Sequence, residues 1–456
     1  MENVQIIQIT GDFMKAILPE LDSKSVQPYY LQLYEYIKKG IVSGEIESGE
    51  KLPSLRSLSK DLQISVTTIS QCYAQLEVEG YISAKAGSGY YVNDVGRLAE
   101  GPESDFDHFY DLNEEEDHKV YDLSSFDFNK WKKCASRIYT EYSHLLLYEG
   151  DPQGEYQLRY EISKYVYNSR GVIARPEQVV IGAGTQQITM QLTRILREMN
   201  INHIALEDPG YLPVRKIFED RSFAITSIPV LSDGIEIEKL PRNISCAVYA
   251  NPSNQFPTGA IMPVGRRREL LDWAESNSSY IIEDDYNSEL RYFGRPIPAM
   301  QGMDSFQRVI YLGSFSSTLY PAIKISYMIL PDIMADVFNR TKRNYTQTCS
   351  KAEQLTLSLF MKQGLYQTNI RKLRKLYTQK LQKITSALKG SQKIKPGSTS
   401  SGISMTLISE EPEETLRRAK MLGLSMQKVP GYDDLIFYYN QIPIEDIEDI
   451  IKELIA

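Results

Sequence analysis

The sequence predicts a multidomain chain: an α+β winged helix-turn-helix unit, then an α/β unit built on a mostly parallel sheet, closed by a small C-terminal α/β subdomain. Three observations predict it. Two short helical segments opened by serines precede a glycine-centred aromatic hairpin; helical stretches then alternate with short apolar runs; and an acidic stretch separates the two regions. A chain of 456 residues is too long for one ordinary core, and 42 % apolar with 24 % charged residues is an ordinary globular composition.

Residues 1–24 read as an N-terminal extension and residues 25–92 as the winged unit. In YYLQLYEYIKKGIVSGEI, Leu33, Tyr34, Ile37, Ile41 and Val42 keep the spacing of one helix face, and Gly44 stops the helix. After the turn ESGEKLP, Pro53 and Ser54 open SLRSLSKDL, while Ser65 caps VTTISQCYAQLEVEG, which ends at Gly80. YISAKAGSGYYV then reads as a hairpin about a Gly-Ser-Gly turn.

The second helix of a helix-turn-helix sets its N-terminal residues at base edges, so Ser65, Thr67, Thr68 and Gln71 are the candidate groove contacts. Ser54 and Arg56 are placed to hold phosphate, and Lys85 with Ser88 in the turn reaches toward the neighbouring minor groove. Double-stranded operator DNA is therefore the expected partner, with a protein-binding winged helix as the alternative. Residues 25–92 carry six Lys/Arg against seven Asp/Glu, so a single copy binds DNA weakly and a homodimer with two copies per operator is expected.

Residues 93–122 (including EGPESDFDHFYDLNEEEDHK) have the composition of a solvated acidic linker. Within 123–335, QVVIGAG, HIALED, AITSIPV, CAVYA, YIIEDD, VIYLGSF and SYMILP are strands alternating with helices, the pattern of a mostly parallel sheet covered on both faces. Residues 336–456 hold long helices (AEQLTLSLFMKQG, IRKLRKLYTQKLQKITSAL) and then a small α/β segment.

Several function classes are excluded. Cys72, Cys134, Cys246 and Cys349 are scattered and form no C-x-x-C pair, and the four histidines lack ligand spacing, so neither a disulfide framework nor a metal site is expected. No apolar run approaches a membrane span, and MENVQIIQITGDFMK has no basic n-region, so no membrane partner and a cytoplasmic location are expected. The net charge of −8 opposes nucleic-acid binding by the chain as a whole but not by a local surface.

Four segments point to a ligand site at strand ends. GAGTQQ is a glycine-rich strand-to-helix turn whose N–H groups can cradle phosphate; IIEDDYNSEL and GSFSS bring carboxylates and hydroxyls; EDPGY adds a ring on a rigid turn. Each taken alone is equally well a satisfied turn or cap.

The string IKKGIVSGEIESGEKLPSLRSLSKDLQISVTTISQCYAQLEVEGYISAKAGSGYYV resembles the GntR-family winged helix, and across residues 120–456 YEGDPQGEYQLR, GAGTQQ, EDPGY, NPSNQFPTG, IIEDDYNSELRYFGRP and VIYLGSFSSTLYPAIKISYMILP resemble the fold type I aminotransferase-like domain of MocR/GabR-type regulators. The resemblance implies a pyridoxal 5′-phosphate (PLP) site in which Asp284 pairs with the pyridine nitrogen, Tyr286 lies near the 3-hydroxyl and Tyr211 stacks on the ring. It implies that Thr185, Gln186, Ser314 and Ser316 hold phosphate, with Lys324 beside it.

Four departures bear on function. Where the GntR family usually has a DNA-contacting arginine after the capping serine, this chain has Val66. Where the aminotransferase-like family has its Schiff-base lysine, it has Ser317; Lys324 replaces the usual arginine seven residues on, and Ile436 the arginine that grips a substrate carboxylate. A hydroxyl forms no Schiff base; a single change is equally an engineered substitution or a natural loss, whereas three changes in one site favour natural loss of amine chemistry. Transamination needs the lysine amine as anchor and base, so no catalytic residue is expected; PLP is expected to be held noncovalently or to have been lost. The reading is a dimeric regulator sensing PLP, a PLP–amino acid adduct or a related small-molecule effector. The alternatives are a PLP-dependent enzyme with a vestigial head and a ligand-free dimerisation scaffold.

Overall fold

The computed structural model describes residues 21–22, 25, 27–95, 122–291, 297–397, 402–429 and 431–455. The N-terminal extension and the acidic linker therefore lie almost wholly outside the described residues, as does the end of the RYFGRP segment. The chain divides into two compact units, residues 1–111 and 112–456.

In the first unit, α1 (Tyr29–Ser43) buries Leu33, Tyr34, Ile37 and Ile41, and Gly44 ends it in the left-handed conformation at φ 81°. α2 (Leu55–Leu62) and α3 (Val66–Val78) each start on a serine oxygen that accepts an N–H three residues ahead: Ser57 N to Ser54 Oγ at 3.2 Å and Thr68 N to Ser65 Oγ at 3.1 Å. Ile69, Cys72, Tyr73 and Leu76 of α3 close a core with Leu33, Ile37 and Ile41. β1 (Ile82–Lys85) and β2 (Gly89–Val92) form the wing, paired from Ile82↔Val92 to Lys85↔Gly89.

Two details differ from the sequence reading. The turn consists of Ala86, Gly87 and Ser88, one residue earlier than expected, because Gly89 is taken into the ladder opposite Lys85. The ESGEKLP segment is also more than a turn. Gly49 N donates to Val92 O at 2.8 Å, Val92 N to Glu50 O at 2.9 Å and Leu52 N to Tyr90 O at 2.9 Å, so it covers the edge of β2 that a two-stranded wing would leave open.

The second unit opens with α4 (Phe128–Glu141) and α5 (Tyr156–Arg170). β3 (Val179–Gly182), α6 (Thr185–Glu198), β4 (His203–Asp208), α7 (Leu212–Asp220), β5 (Ala224–Leu231), β6 (Gly234–Ile235), β7 (Ala247–Ala250), α8 (Val264–Ser276), β8 (Tyr280–Asp284), β9 (Val309–Ser314) and β10 (Ser326–Ile329) follow. They make one eight-stranded sheet in the order β3-β10-β9-β8-β7-β4-β5-β6. β4, β5, β7, β8 and β9 pair in parallel, whereas β10 runs against β3 and β9, and the two-residue β6 pairs antiparallel to β5. All seven expected strands are present, and the sheet is mostly parallel as expected.

Strand side chains alternate between two cores. Val180, Ile282, Ile310 and Met328 pack with α6, α7 and α9 (Asp332–Thr341); Ile181, Tyr311 and Tyr327 face the opposite way, toward α4, α5 and α10 (Lys351–Lys362). The same alternation sends Ala205, Val248 and Ile281 to a third cluster with α8.

The C-terminal subdomain is hung on α11 (Leu365–Ala387). β11 (Ile394–Pro396), β12 (Ser404–Ser409), α12 (Pro412–Met421), β13 (Met426–Lys428), β14 (Leu435–Tyr438) and α13 (Ile447–Ile455) complete it, with an antiparallel sheet in the order β11-β12-β14-β13. The division expected at 335/336 falls inside α9, whose Met334, Ala335, Val337 and Phe338 belong to the core of the large sheet. The small core starts later, at Leu373, Tyr377, Leu381 and Ile384 of α11, which pack on Leu407, Leu435 and Phe437. Among the described residues, no helix is long and apolar enough to cross a membrane.

Candidate functional site

The parallel strands of the large sheet finish along one edge. There β7 delivers Asn251, β8 delivers Asp284 and β9 delivers Ser314; Ala250 is paired with Glu283, and Asp284 with Leu312. β10 runs the other way, so its beginning reaches the same edge, and Ser326 is registered against both Gly182 of β3 and Ser314 of β9. This brings the GAGTQQ turn, the GSFSS turn and the approach to Lys324 side by side.

At the β3 end, Gly184 (φ 88°) caps α6, so the helix starts directly on Thr185 with Gln186 next. The first N–H groups of a helix have no partner within it and carry partial positive charge, which suits an anion. Thr185 is half-buried and Gln186 exposed. Ser314 Oγ accepts from Ser326 Oγ at 3.0 Å and from Ser316 N at 3.4 Å. Ser316 and Ser317 are half-buried, and the Ser317 hydroxyl makes no hydrogen bond among the described residues. Lys324 is exposed, in the left-handed conformation at φ 46°.

At the β8 end, two neighbouring carboxylates have different surroundings. Asp285 is fully engaged: Arg170 Nε donates to it at 2.8 Å and Arg170 Nη2 at 2.9 Å, with Tyr311 Oη at 2.5 Å and Ser288 Oγ at 2.7 Å. Burial raises its affinity for a proton, but the Arg170 charge and these donors outweigh burial and hold Asp285 below the usual carboxylate range. The Tyr249 hydroxyl donates to Asp284, and burial outweighs that donor and the Asn251 side chain and pushes Asp284 up to about 6. It is the less engaged of the two carboxylates.

Asn251 was not singled out in the sequence, although it opens the NPSNQFPTG motif. It is buried; its Nδ2 donates to Asp284 O at 3.1 Å, and its Oδ1 has no partner among the described residues. A buried polar atom without a partner costs about 1–3 kcal/mol, so it marks a place where a donor belongs. Its neighbour Glu207 accepts from Asn251 N and Gln255 Nε2, both at 3.2 Å, and burial pushes that carboxyl up to about 8. Tyr211 is exposed and lies edge-to-face with Phe256 at 6.1 Å, and Phe256 with Tyr286 at 6.2 Å, so the three rings form one aromatic rim. Burial raises the Tyr286 hydroxyl well above its ordinary value. Ile436 is buried on β14 between Thr406 and Gln427.

The first unit presents a second candidate surface. Arg56, Thr67 and Gln71 are exposed, and their side chains make no hydrogen bond among the described residues. Ser54, Ser65 and Thr68 are partly committed to the fold, since the two serines cap helices and the Ser65 and Thr68 hydroxyls lie 2.8 Å apart. On the wing, Lys85 Nζ stands 4.3 Å over the Tyr91 ring, whose hydroxyl lies 2.6 Å from Ser88 Oγ. Val66 is exposed at the start of α3. Among the described residues, no group of three His, Cys, Asp or Glu is arranged to hold a metal.

Comparison with known proteins agrees with both halves. Residues 29–92 match the bacterial regulatory proteins of the gntR family, and residues 120–428 match aminotransferase class I and II. Over 96 % of its length the chain is 39 % identical to 99 % of the uncharacterized HTH-type transcriptional regulator YdeL of Bacillus subtilis. It is 33 % identical to the probable rhizopine catabolism regulatory protein MocR of Rhizobium meliloti, over 81 % of this chain and 78 % of that one. The kynurenine aminotransferase of Pyrococcus horikoshii has the same fold (TM-score 0.63, 22 % identity, 74 % of this chain and 88 % of that one), as does the α-aminoadipate aminotransferase LysN of Thermus thermophilus (TM-score 0.64, 21 % identity, 74 % and 89 %). The chain thus belongs to the MocR-type HTH transcriptional regulators, in which a gntR-family head is joined to a class I and II aminotransferase domain.

Proposed function

We propose that this chain is a DNA-binding transcriptional regulator whose aminotransferase-like unit pairs two chains and senses a phosphorylated pyridine ligand, PLP or a relative of it, without a covalent bond to the protein. The observation that carries the ligand half is the combination of an orphaned buried Asn251 Oδ1 and an available Asp284 with a hydroxyl at Ser317.

The residues fit the phosphate and ring of PLP. The start of α6 with Thr185 and Gln186, together with Ser314 and Ser316, suits the phosphate, and Lys324 belongs to the same end of the site. Asp284 suits a protonated ring nitrogen, Asn251 Oδ1 a donor beside it, and Tyr211 and Tyr286 the ring faces and edge. PLP supplies an electron sink to amine chemistry wherever it is bound. Here no side chain at position 317 can anchor it or move a proton for it, which favours sensing over turnover.

Two surfaces support the rest of the reading. Arg56, Thr67 and Gln71 suit phosphate and base edges. Tyr156, Tyr160 and Tyr167, at i, i+4 and i+11 along one face of α5, are 52 %, 50 % and 62 % exposed, an aromatic stripe that suits a second copy of the chain. Ligand binding then shifts how two heads are presented to DNA.

The test is an electrophoretic mobility shift with DNA from upstream of the chain's own gene, at low salt, with and without PLP. Retardation that changes with PLP is expected; none in either state would refute the regulator reading. Borohydride reduction that fixes PLP to a lysine of this chain would instead support an enzyme.

A further inference from the structure

We infer that α11 carries the state of the ligand site to the linker, through a buried ion pair between Lys380 and Asp122 that fixes the linker's end to the helix. This deepens the proposed function and rests on it.

α11 is a single 23-residue helix that meets two turns of the ligand site. Near its start, Tyr366 Oη lies 2.9 Å from Thr318 Oγ1, and Asn369 Nδ2 donates to Thr318 O at 2.7 Å, next to Ser317. Further along, Arg374 Nε donates to Glu289 O, and Leu290 shares an apolar core with Leu373, Tyr377 and Leu381 of α11. Leu290 ends the segment that begins at Asp284 and carries Tyr286. A ligand held at Ser314, Ser316 and Asp284 therefore bears on two segments that both rest on this helix.

About 9 Å beyond Arg374 along the helix axis, Lys380 holds the end of the linker. Its ammonium donates to Asp122 Oδ2 at 2.5 Å and to Asn440 O at 2.8 Å, and both side chains of the pair are buried. Lys372 Nζ donates to Ser124 O at 2.6 Å. Phe126, by contrast, is buried in the core of the large sheet with Trp131 and Phe360. Residues 122–126 thus reach from α11 to that core, and a displacement of α11 against the large sheet pulls on Asp122. A rigid helix passes such a displacement along its length. Stability alone does not call for the pair, because apolar residues of similar volume often serve as well in a buried position.

The probe is pyridoxamine 5′-phosphate, which keeps the phosphate and ring of PLP and has no aldehyde to react with lysines. When it binds the full chain, hydrogen–deuterium exchange at residues 122–126 should slow by about two- to thirtyfold, the range carried by such networks, although none of these residues is in the ligand site. The paired substitution Asp122→Asn with Lys380→Met removes both charges and leaves no unpaired ion in the core. It should melt like the parent and bind the probe within about twofold of it, since both positions are remote from the ligand. It should abolish the change in operator affinity that the probe causes in the parent, expected at about fivefold or more. A folded variant that still responds as the parent does would overturn the role of the pair and leave the sensor reading in place. Unchanged exchange at 122–126 in a parent that binds the probe would do the same, and it decides alone if the variant does not fold. A parent that does not bind the probe, or binds it with no change in operator affinity, would overturn both.

Discussion

Asp284 and Asp285 share a strand end, yet their partners separate their behaviour. Asp285 is neutralised by Arg170 and stays ionised as part of the scaffold, whereas Asp284, with Tyr249 as its side-chain donor, is raised by burial to about 6. A raised acid disfavours folding as it ionises, so Asp284 destabilises the fold progressively from its ordinary value near 4 up to about 6, and fully above that. For a ligand with a protonated ring nitrogen the sign is the opposite: the carboxylate must be ionised to pair. Affinity for pyridoxamine 5′-phosphate is therefore expected to fall as pH drops from 7.5 through about 6, and Asp284→Asn should weaken binding at neutral pH by roughly tenfold or more and flatten that profile. Titration calorimetry across the range measures both. Restoring the amine should restore covalent capture: Ser317→Lys should give a visible absorption band with PLP and a borohydride-fixed mass increment. A folded Ser317→Lys protein that shows neither would mean that position 317 does not face the ligand. Asp284 was legible in the sequence through its motif, but Asn251 was not. The signal existed in NPSNQFPTG, yet only burial and the missing partner of Oδ1 show which atom of that segment is left for a ligand.

The helix starts and the parallel strands are the most legible elements. Apolar residues at 3,4 spacing encode α1 and serine caps open α2 and α3 locally, and runs such as VVIG and AVYA are apolar throughout because β3 and β7 are covered on both faces. What escaped depends on distant partners. Glu50 and Leu52 join the wing only because β2 offers its free edge, and glycine and proline around them read as a turn. The placement of α9 in the large core depends on which face it buries, which periodicity alone does not assign. At α3, cap and recognition can be separated experimentally. Ser65→Ala should lower head stability by about 1 kcal/mol, whereas Ser65→Asp keeps an acceptor at the N-cap and should keep stability. If Ser65 also faces DNA, the aspartate variant should lose operator binding while melting like the parent. Normal binding by that variant would confine Ser65 to capping.

At the scale of the whole chain, the head's charge balance sets a requirement on assembly. With six cations and seven anions in residues 25–92, and Lys38 already held by Tyr34 and Glu79, few positive charges remain to neutralise phosphates, so one head gains little from counterion release. Two heads tethered through their large units gain an effective concentration that raises affinity by about 10²–10⁴ without any new contact. The tyrosine stripe of α5 is the surface suited to hold such a pair, since aromatic side chains bring large apolar area at low cost in conformational entropy. Converting Tyr160 and Tyr167 together to lysine leaves every head residue and every strand-end residue unchanged, and both positions are exposed, so the fold should survive. Analytical ultracentrifugation should then show monomers at concentrations where the parent chain is dimeric, and operator affinity should drop by a factor within that range while pyridoxamine 5′-phosphate binding persists. A monomeric variant with undiminished operator affinity would show that one head suffices, and the weak charge of the head would then need base-edge contacts from Thr67 and Gln71 to account for binding.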